Sequence, residues 1–212
     1  MKNFKKLLTL MVALIIAFTF TACDKKEEDA KKEAEEIVEE YADAALELDF
    51  DSAKKYLDED AKAYELIEEI EGGEKEVEEA GLVKSSDAGL EIKKDYLKNA
   101  DYEIVSSEYK DDKVSVVVKS NVDFKTMKFD FSDELDEYFQ EMLATELDDE
   151  TRAYYDTKAT VEELDELYVD FLEEAWKRKG EEYIEELKNA DMEEYTFELE
   201  KDGDDCKITK IK

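Results

Sequence analysis

The alternation of apolar and polar residues along this chain predicts two β-hairpins. In the clearest stretch every second residue belongs to one face, and that face is almost entirely apolar: Val114, Val116, Val118, Ser120, Val122 and Phe124. A two-residue period is that of a strand with one buried face. A weaker β pattern begins near Asp101, and the Asp111-Asp112-Lys113 sequence between the two stretches is suited to a turn.

The second hairpin is predicted at the C-terminal end of the chain. Apolar residues again occupy alternate positions, in two short runs: Tyr195, Phe197 and Leu199, then Cys206 and Ile208. The Asp202-Gly203-Asp204 sequence between the runs predicts a tight turn. The two runs are therefore expected to pair with each other as antiparallel strands.

Apolar residues at helical spacing predict helices before the first hairpin. One stripe runs through Ala34, Ile37, Val38, Tyr41, Ala42, Ala45 and Leu48 on an otherwise acidic segment. The 49–52 segment, Asp-Phe-Asp-Ser, is expected to end this helix and to supply the N-cap of a second. Helical spacing resumes over residues 66–70, and we expect Gly72-Gly73 to end it. A mobile connector, with one short helix at most, is expected over residues 74–89.

A helical insertion is predicted between the two hairpins, at about residues 132–190. Ser132 is expected to cap a helix with this apolar stripe: Leu135, Tyr138, Phe139, Met142, Leu143 and Leu147. After an acidic stretch, Thr160 and Glu163 have the spacing of a capping box and open the longest helix. Its stripe extends past Trp176, and Gly180 is a position for a kink or break.

The first 22 residues have the order of an export signal, and they change the interpretation of the whole chain. Lysines near the start precede an apolar run over residues 7–20, which is shorter than the ~20 residues that a membrane-spanning helix needs. The run leads through Phe20, Thr21 and Ala22 to Cys23. These four residues resemble the lipobox of bacterial lipoproteins, although Phe20 stands where leucine is usual. The resemblance implies that Cys23 carries a diacylglycerol, with fatty acyl chains as its only covalent group, and that the chain is cut before it.

The division that follows is a signal peptide over residues 1–22, a charged tether over 23–32 and one α+β domain over 33–212. From residue 23 onward the chain keeps all 63 acidic residues and 27 of its 30 basic ones, a formal charge of −36. This charge disfavours nucleic acid as a partner, because nucleic acid is bound through cationic groups. It favours either a self-repelling, soluble surface or the attraction of cationic peptides or divalent ions.

The absence of histidine narrows the chemistry further. It excludes Ser-His-Asp and Cys-His catalysis and histidine-ligated zinc. With Cys23 committed to lipid, Cys206 is left without a disulfide partner, and we interpret it as a small buried apolar side chain. None of the acidic clusters has the ligand spacing of a calcium-binding EF-hand loop, so we predict no metal site.

The order of the predicted elements resembles a family fold. The segment over residues 41–53 and the closing hairpin are similar to parts of the nuclear-transport-factor-2-like, or cystatin-like, α+β cone found in uncharacterised lipoproteins of low-GC Gram-positive bacteria. The resemblance implies a curved antiparallel sheet covered by helices on one face. The alternative fold is an acidic helical bundle with two independent hairpins.

The function expected from these features is a non-catalytic binding or interaction module, lipid-anchored at the extracytoplasmic face of the cell membrane. Its partner is the membrane itself, through the lipid, together with an unknown small molecule, peptide or protein. Tyr, Phe and Trp176 are expected to anchor the ligand in the concave face of the cone. The alternative is a cone-fold enzyme with an Asp base and a Tyr donor, but no residue is assigned as catalytic.

Overall fold

The computed structural model describes residues 26–126, 131–202 and 205–212, and over these residues the chain folds as an α+β protein. The helices are α1 (residues 26–46), α2 (Phe50–Ala53), a 3-10 turn (Lys54–Tyr56), α3 (Lys62–Glu79), α4 (Val83–Leu97), α5 (Phe131–Glu146), α6 (Asp149–Thr157) and α7 (Val161–Asn189). The strands are β1 (Tyr102–Lys110), β2 (Lys113–Ser120), β3 (Glu193–Asp202) and β4 (Asp205–Ile211).

The four strands form one antiparallel sheet in the order β1-β2-β3-β4, which is open because β1 and β4 lie at opposite edges. Asp111 and Asp112 both have positive φ, as the tight β1–β2 turn requires. β2 pairs with β3 from Lys113↔Glu200 to Ser120↔Glu193, across the whole helical insertion. The two hairpins are therefore not independent, and the alternative of a helical bundle with separate hairpins is wrong.

The first hydrophobic core lies between one face of this sheet and the helices α1, α2 and α3. The strand residues on that face alternate with outward-facing residues, as the sequence predicts. Tyr41 of α1 is fully buried, and its ring centroid lies 5.9 Å from that of Phe197 on β3. The end of the predicted strand differs: β2 ends at Ser120, and Phe124 enters the core from the turn that follows.

The helical insertion, α5 to α7, packs with α4 around a second core. Ile92 and Tyr96 of α4 face Ala175, Tyr183 and other apolar residues of α7. Leu46, Leu48 and Val122 contact both cores, so the insertion is joined to the sheet by apolar packing. The insertion therefore lies where the sequence predicts it, between β2 and β3.

Two predictions about the ends of helices are wrong. α3 continues through Gly72 and Gly73 to Glu79, because both glycines lie on the exposed side of a helix that Ile67 holds in the core. The predicted connector over residues 74–89 is the end of α3, a turn at Gly81 with a φ of 87°, and the beginning of α4.

The predicted caps are present where the structure describes them. Asp49 accepts a hydrogen bond from the Ser52 amide at the start of α2. Thr160 and Glu163 form the capping box of α7, which continues through Gly180 to Asn189 without a break. The acidic stretch before it contains a helix that the sequence analysis did not predict, α6, capped by Asp148. α5 already begins at Phe131, one residue before the predicted cap.

Candidate functional site

The main candidate for a binding site is a groove between residues 26–33 of α1 and the turn ends of both hairpins. We call it the α1–sheet groove. Its volume is about 740 Å³. It is lined by Lys26, Asp29, Ala30 and Glu33 of α1, by Tyr109, Asp112 and Val114 of the first hairpin, and by Leu199, Lys201 and Cys206 of the second.

The groove exists because residues 26–33 of α1 precede the part of the helix that packs tightly on the sheet. From Ala34 onward, the inward-facing residues of α1 are fully buried, Val38 and Tyr41 among them. Residues 26, 29, 30 and 33 lie on the same side of the helix, at spacings of three and four, but Asp29 and Glu33 remain exposed. A space is therefore left between these turns and the hairpin ends.

Apolar side chains form the floor of the groove. Val114 and Leu199 are buried members of the first core, and Ala30 and Cys206 pack against it from either side. Burial raises the pKa of the Cys206 thiol, and the nearby Glu33 carboxylate raises it further. The thiol is therefore neutral at physiological pH. This environment agrees with the expected apolar role of Cys206, although the side chain is half-buried rather than fully buried.

Charged groups form the rim of the groove. Within the described residues, neither Asp29 nor Glu33 makes an ion pair, and Lys26 and Lys201 on opposite walls make none either. Asp112 accepts a hydrogen bond of 2.6 Å from the Tyr109 hydroxyl. The site thus combines an apolar floor with an excess of carboxylates over ammonium groups.

The aromatic residues expected to anchor a ligand mostly lie elsewhere. The tyrosine and phenylalanine side chains of the sheet fill the first core, where Phe124 contacts the rings of Tyr41, Tyr195 and Phe197. Trp176 packs against the second core, and its indole Nε1 donates to Asp95 Oδ2 at 3.2 Å. α1 covers the sheet face that was expected to take a ligand, and Tyr109 is the aromatic residue that lines the groove.

Tyr109 and Asp112, which both line the groove, are residues of the two types that the enzyme alternative requires. The Tyr109–Asp112 hydrogen bond raises the pKa of Tyr109, so this hydroxyl is a poorer proton donor than a free tyrosine. Asp123 accepts from the Lys125 amide and the Thr126 hydroxyl within its own turn. Asp130, the other aspartate beside the strand pattern, lies outside the described residues.

A carboxylate with two backbone donors is buried far from the groove. Asp165 of α7 accepts from the amides of Lys84 and Ser85 at 2.9 and 2.8 Å, which caps the start of α4. Burial raises its pKa, but these hydrogen bonds and the Lys84 charge lower it more, so its pKa lies below the ordinary value of 3.8. Asp165 thus links α7 to α4, and no local sequence pattern predicts this contact.

The lipobox residues Phe20, Thr21 and Ala22 and the lipidation site Cys23 lie outside the described residues. Of the predicted tether, the described part, residues 26–32, is helical and belongs to α1. Over the described ranges, the side chains form no cluster suited to a metal ion, and none of the helices there has the length and apolarity needed to span a membrane.

The sequence analysis did not find the groove because three of its lining residues, Lys26, Asp29 and Ala30, belong to the segment predicted as a tether. The available signal was Ala30, which lies four residues before Ala34 and extends the apolar stripe toward the N-terminus.

Comparisons with protein-family models, with curated proteins and with solved structures found no match to this chain.

Proposed function

We propose that this protein is a lipoprotein anchored to the extracytoplasmic face of the cell membrane, where it acts as a non-catalytic binding module. The observation that carries the binding function is the α1–sheet groove. Its volume of about 740 Å³ and its apolar floor are those of small-ligand sites, which range from ~300 to ~1,000 Å³. The lipobox resemblance of Phe20, Thr21, Ala22 and Cys23 supports the anchor.

The position of the groove in the sequence connects the two parts of this proposal. Lys26, which lines the groove, follows Cys23 by three residues, and three residues span at most ~11 Å. A lipid on Cys23 would therefore hold the groove close to the membrane surface. Two acyl chains anchor a protein stably, at about 0.8 kcal/mol for each buried methylene group.

The anchor is tested by labelling cells with radioactive fatty acid. The protein should be labelled, and Cys23→Ala should abolish the label. Cys206→Ala is the matched control, because it removes the other cysteine of the chain and should leave the label unchanged. Label that persists in Cys23→Ala would contradict the anchor.

The binding function is tested by native mass spectrometry of residues 24–212, which contain every residue that the structure describes. We expect a reproducible extra mass over the denatured chain. Ala30→Leu, which fills the groove, should remove it, whereas Ala144→Leu on the exposed surface of α5 should not. A bare chain would instead favour a protein partner, and cross-linking on living cells would identify it.

A further inference from the structure

We infer that the occupant of the α1–sheet groove is a cationic amphipathic peptide, with apolar side chains on the groove floor and lysine or arginine side chains at the rim. This inference rests on the proposed function for the location of the site and adds the chemistry of the ligand. The argument depends on the charges of the rim and on how they differ from charges elsewhere on α1.

Two rim carboxylates lie one helical turn apart on the groove side of α1. Asp29 and Glu33 have the i,i+4 spacing at which like charges destabilise a helix. No basic side chain among the described residues forms an ion pair with either of them. A positive charge between the two carboxylates would remove this repulsion, so a cationic ligand group gains more here than a neutral one.

Other carboxylates of the same helix do have partners. Glu27 pairs with Lys31 at 3.3 Å, and Glu36 pairs with Lys32 at 3.6 Å. Glu35 accepts a hydrogen bond of 2.6 Å from the Ser107 hydroxyl on β1. Among the described residues, the carboxylates that face the groove therefore differ from Glu27, Glu35 and Glu36 in having no partner, which leaves them able to bind a cation from outside.

The hairpin wall of the groove offers two further contacts for a cation. Asp112 uses Oδ1 to accept from Tyr109, which leaves its second carboxylate oxygen as an acceptor. The Tyr109 ring lines the groove and can receive a lysine or arginine over its face, a contact worth about 0.5–1 kcal/mol at exposed sites.

The two rim lysines distinguish a peptide from a simple organic cation. Lys26 and Lys201 stand on opposite walls, and their ammonium groups can donate to the backbone carbonyls of an extended peptide. Over a longer range, the formal charge of −36 from residue 23 onward attracts cationic ligands and raises their association rate. The chain therefore favours cations at long range and at the groove itself.

The test compares three blocked pentapeptides that differ only in charge: Leu-Lys-Leu-Lys-Leu, Leu-Gln-Leu-Gln-Leu and Leu-Glu-Leu-Glu-Leu, each titrated calorimetrically into residues 24–212. We expect the lysine peptide to bind at least about tenfold more tightly than the glutamine peptide, and the glutamate peptide to bind least. Asp29→Asn combined with Glu33→Gln should remove this preference. Glu28→Gln combined with Glu39→Gln makes the same change in net charge away from the groove and should preserve it.

Each contrary result has a separate meaning. Equal affinity for the lysine and glutamine peptides would overturn the cationic ligand and leave groove binding in place. An equal loss in the control pair would show that the overall charge, not the groove, attracts the peptide, and would also overturn the inference. If none of the peptides binds while native mass spectrometry shows an occupied groove, the inference fails and the proposed function stands. If the groove is also empty, the inference fails together with ligand binding in the groove, and the binding function would require a protein partner instead.

Discussion

Tyr41 lies in the middle of the first core, fully buried, and its hydroxyl has no hydrogen-bond partner among the described residues. A buried hydroxyl without a partner costs ~1–3 kcal/mol relative to one in water. We therefore predict that Tyr41→Phe leaves the free energy of unfolding unchanged or raises it by about 1 kcal/mol, as measured by urea denaturation. Tyr102→Phe is the matched control: it removes a 2.6 Å hydrogen bond to Asp43 and should lower stability slightly. A clear loss in Tyr41→Phe would show that the hydroxyl is hydrogen-bonded in solution.

The same tyrosines predict how the protein responds to alkaline pH. Burial raises the pKa of Tyr41, and burial followed by the Asp43 hydrogen bond raises the pKa of Tyr102, both from the ordinary value of 10.0. The folded state therefore holds these protons more tightly than the unfolded chain. Their titration therefore leaves stability unchanged below pH 10.0 and lowers it as the pH rises above that value. The slope of unfolding free energy against pH above 10.0 should be shallower in Tyr41→Phe than in the unchanged protein.

Asp165 shows a single carboxylate that joins two helices. Its two oxygens accept from two adjacent amides of α4, whereas an asparagine side chain has one oxygen and would leave one amide unpaired. We predict that Asp165→Asn lowers the free energy of unfolding by ~1–3 kcal/mol at neutral pH. Because the pKa of Asp165 is lowered, this difference should shrink as the pH falls below 3.8. Asp170→Asn, an exposed position on the same helix, should have little effect on thermal unfolding; an equal effect of both substitutions would contradict the capping role.

At the scale of whole helices, Gly73 and Gly180 both lie inside a regular α-helix, but only Gly180 is closely packed. A Cβ at Gly73 would meet nothing within 4 Å, while a Cβ at Gly180 would lie 2.7 Å from Cε2 of Trp176. Gly73→Ala should therefore raise stability by ~0.5–1 kcal/mol through helix propensity. Gly180→Ala should lower stability by ~1–3 kcal/mol, because the indole ring of Trp176, which is hydrogen-bonded to Asp95, would have to move. Thermal unfolding of the two variants checks this pair, and a gain in both would refute the tight packing at Gly180.

The elements that the sequence predicts well are those that local patterns determine. The alternation from Val114 to Val118 gives the buried face of β2, and the capping box of Thr160 gives the start of α7. Both patterns can be read within a few consecutive residues. The prediction that Gly72-Gly73 ends a helix failed because a local preference of about 1 kcal/mol per glycine is outweighed by the packing of α3 on the sheet.

The groove could not be predicted because no local pattern determines it. Its lining comes from three segments that lie far apart in the sequence and meet only when α1 crosses the hairpin ends. Ala30 carries a weak signal, but nothing local shows that α1 rises from the sheet before residue 34. The fold class and the insertion thus follow from the sequence, whereas the candidate site requires the tertiary structure.

At the scale of the whole molecule, one core stabilises the sheet and the other stabilises the insertion. The first core builds the sheet with α1 to α3 and leaves the groove at one end of α1. The second core builds the insertion, in which Arg178 of α7 joins α5 through Glu146 at 2.7 Å. Apolar contacts through Leu46, Leu48 and Val122 connect the two, so the insertion is part of one packed unit with the sheet.

The large negative charge of the molecule should make its stability depend on salt without requiring a bound metal. From residue 23 onward, 63 acidic residues stand against 27 basic ones, so the excess negative charges repel one another, and salt screens this repulsion. Raising NaCl from about 0.05 to about 0.5 M should raise the melting temperature of residues 24–212 by about 2–4 °C, which corresponds to about 1 kcal/mol. At constant ionic strength, about 5 mM CaCl₂ should add nothing, because no metal-binding cluster is present among the residues that the structure describes. A rise with calcium alone would instead require a site that binds the ion directly, since screening depends only on ionic strength.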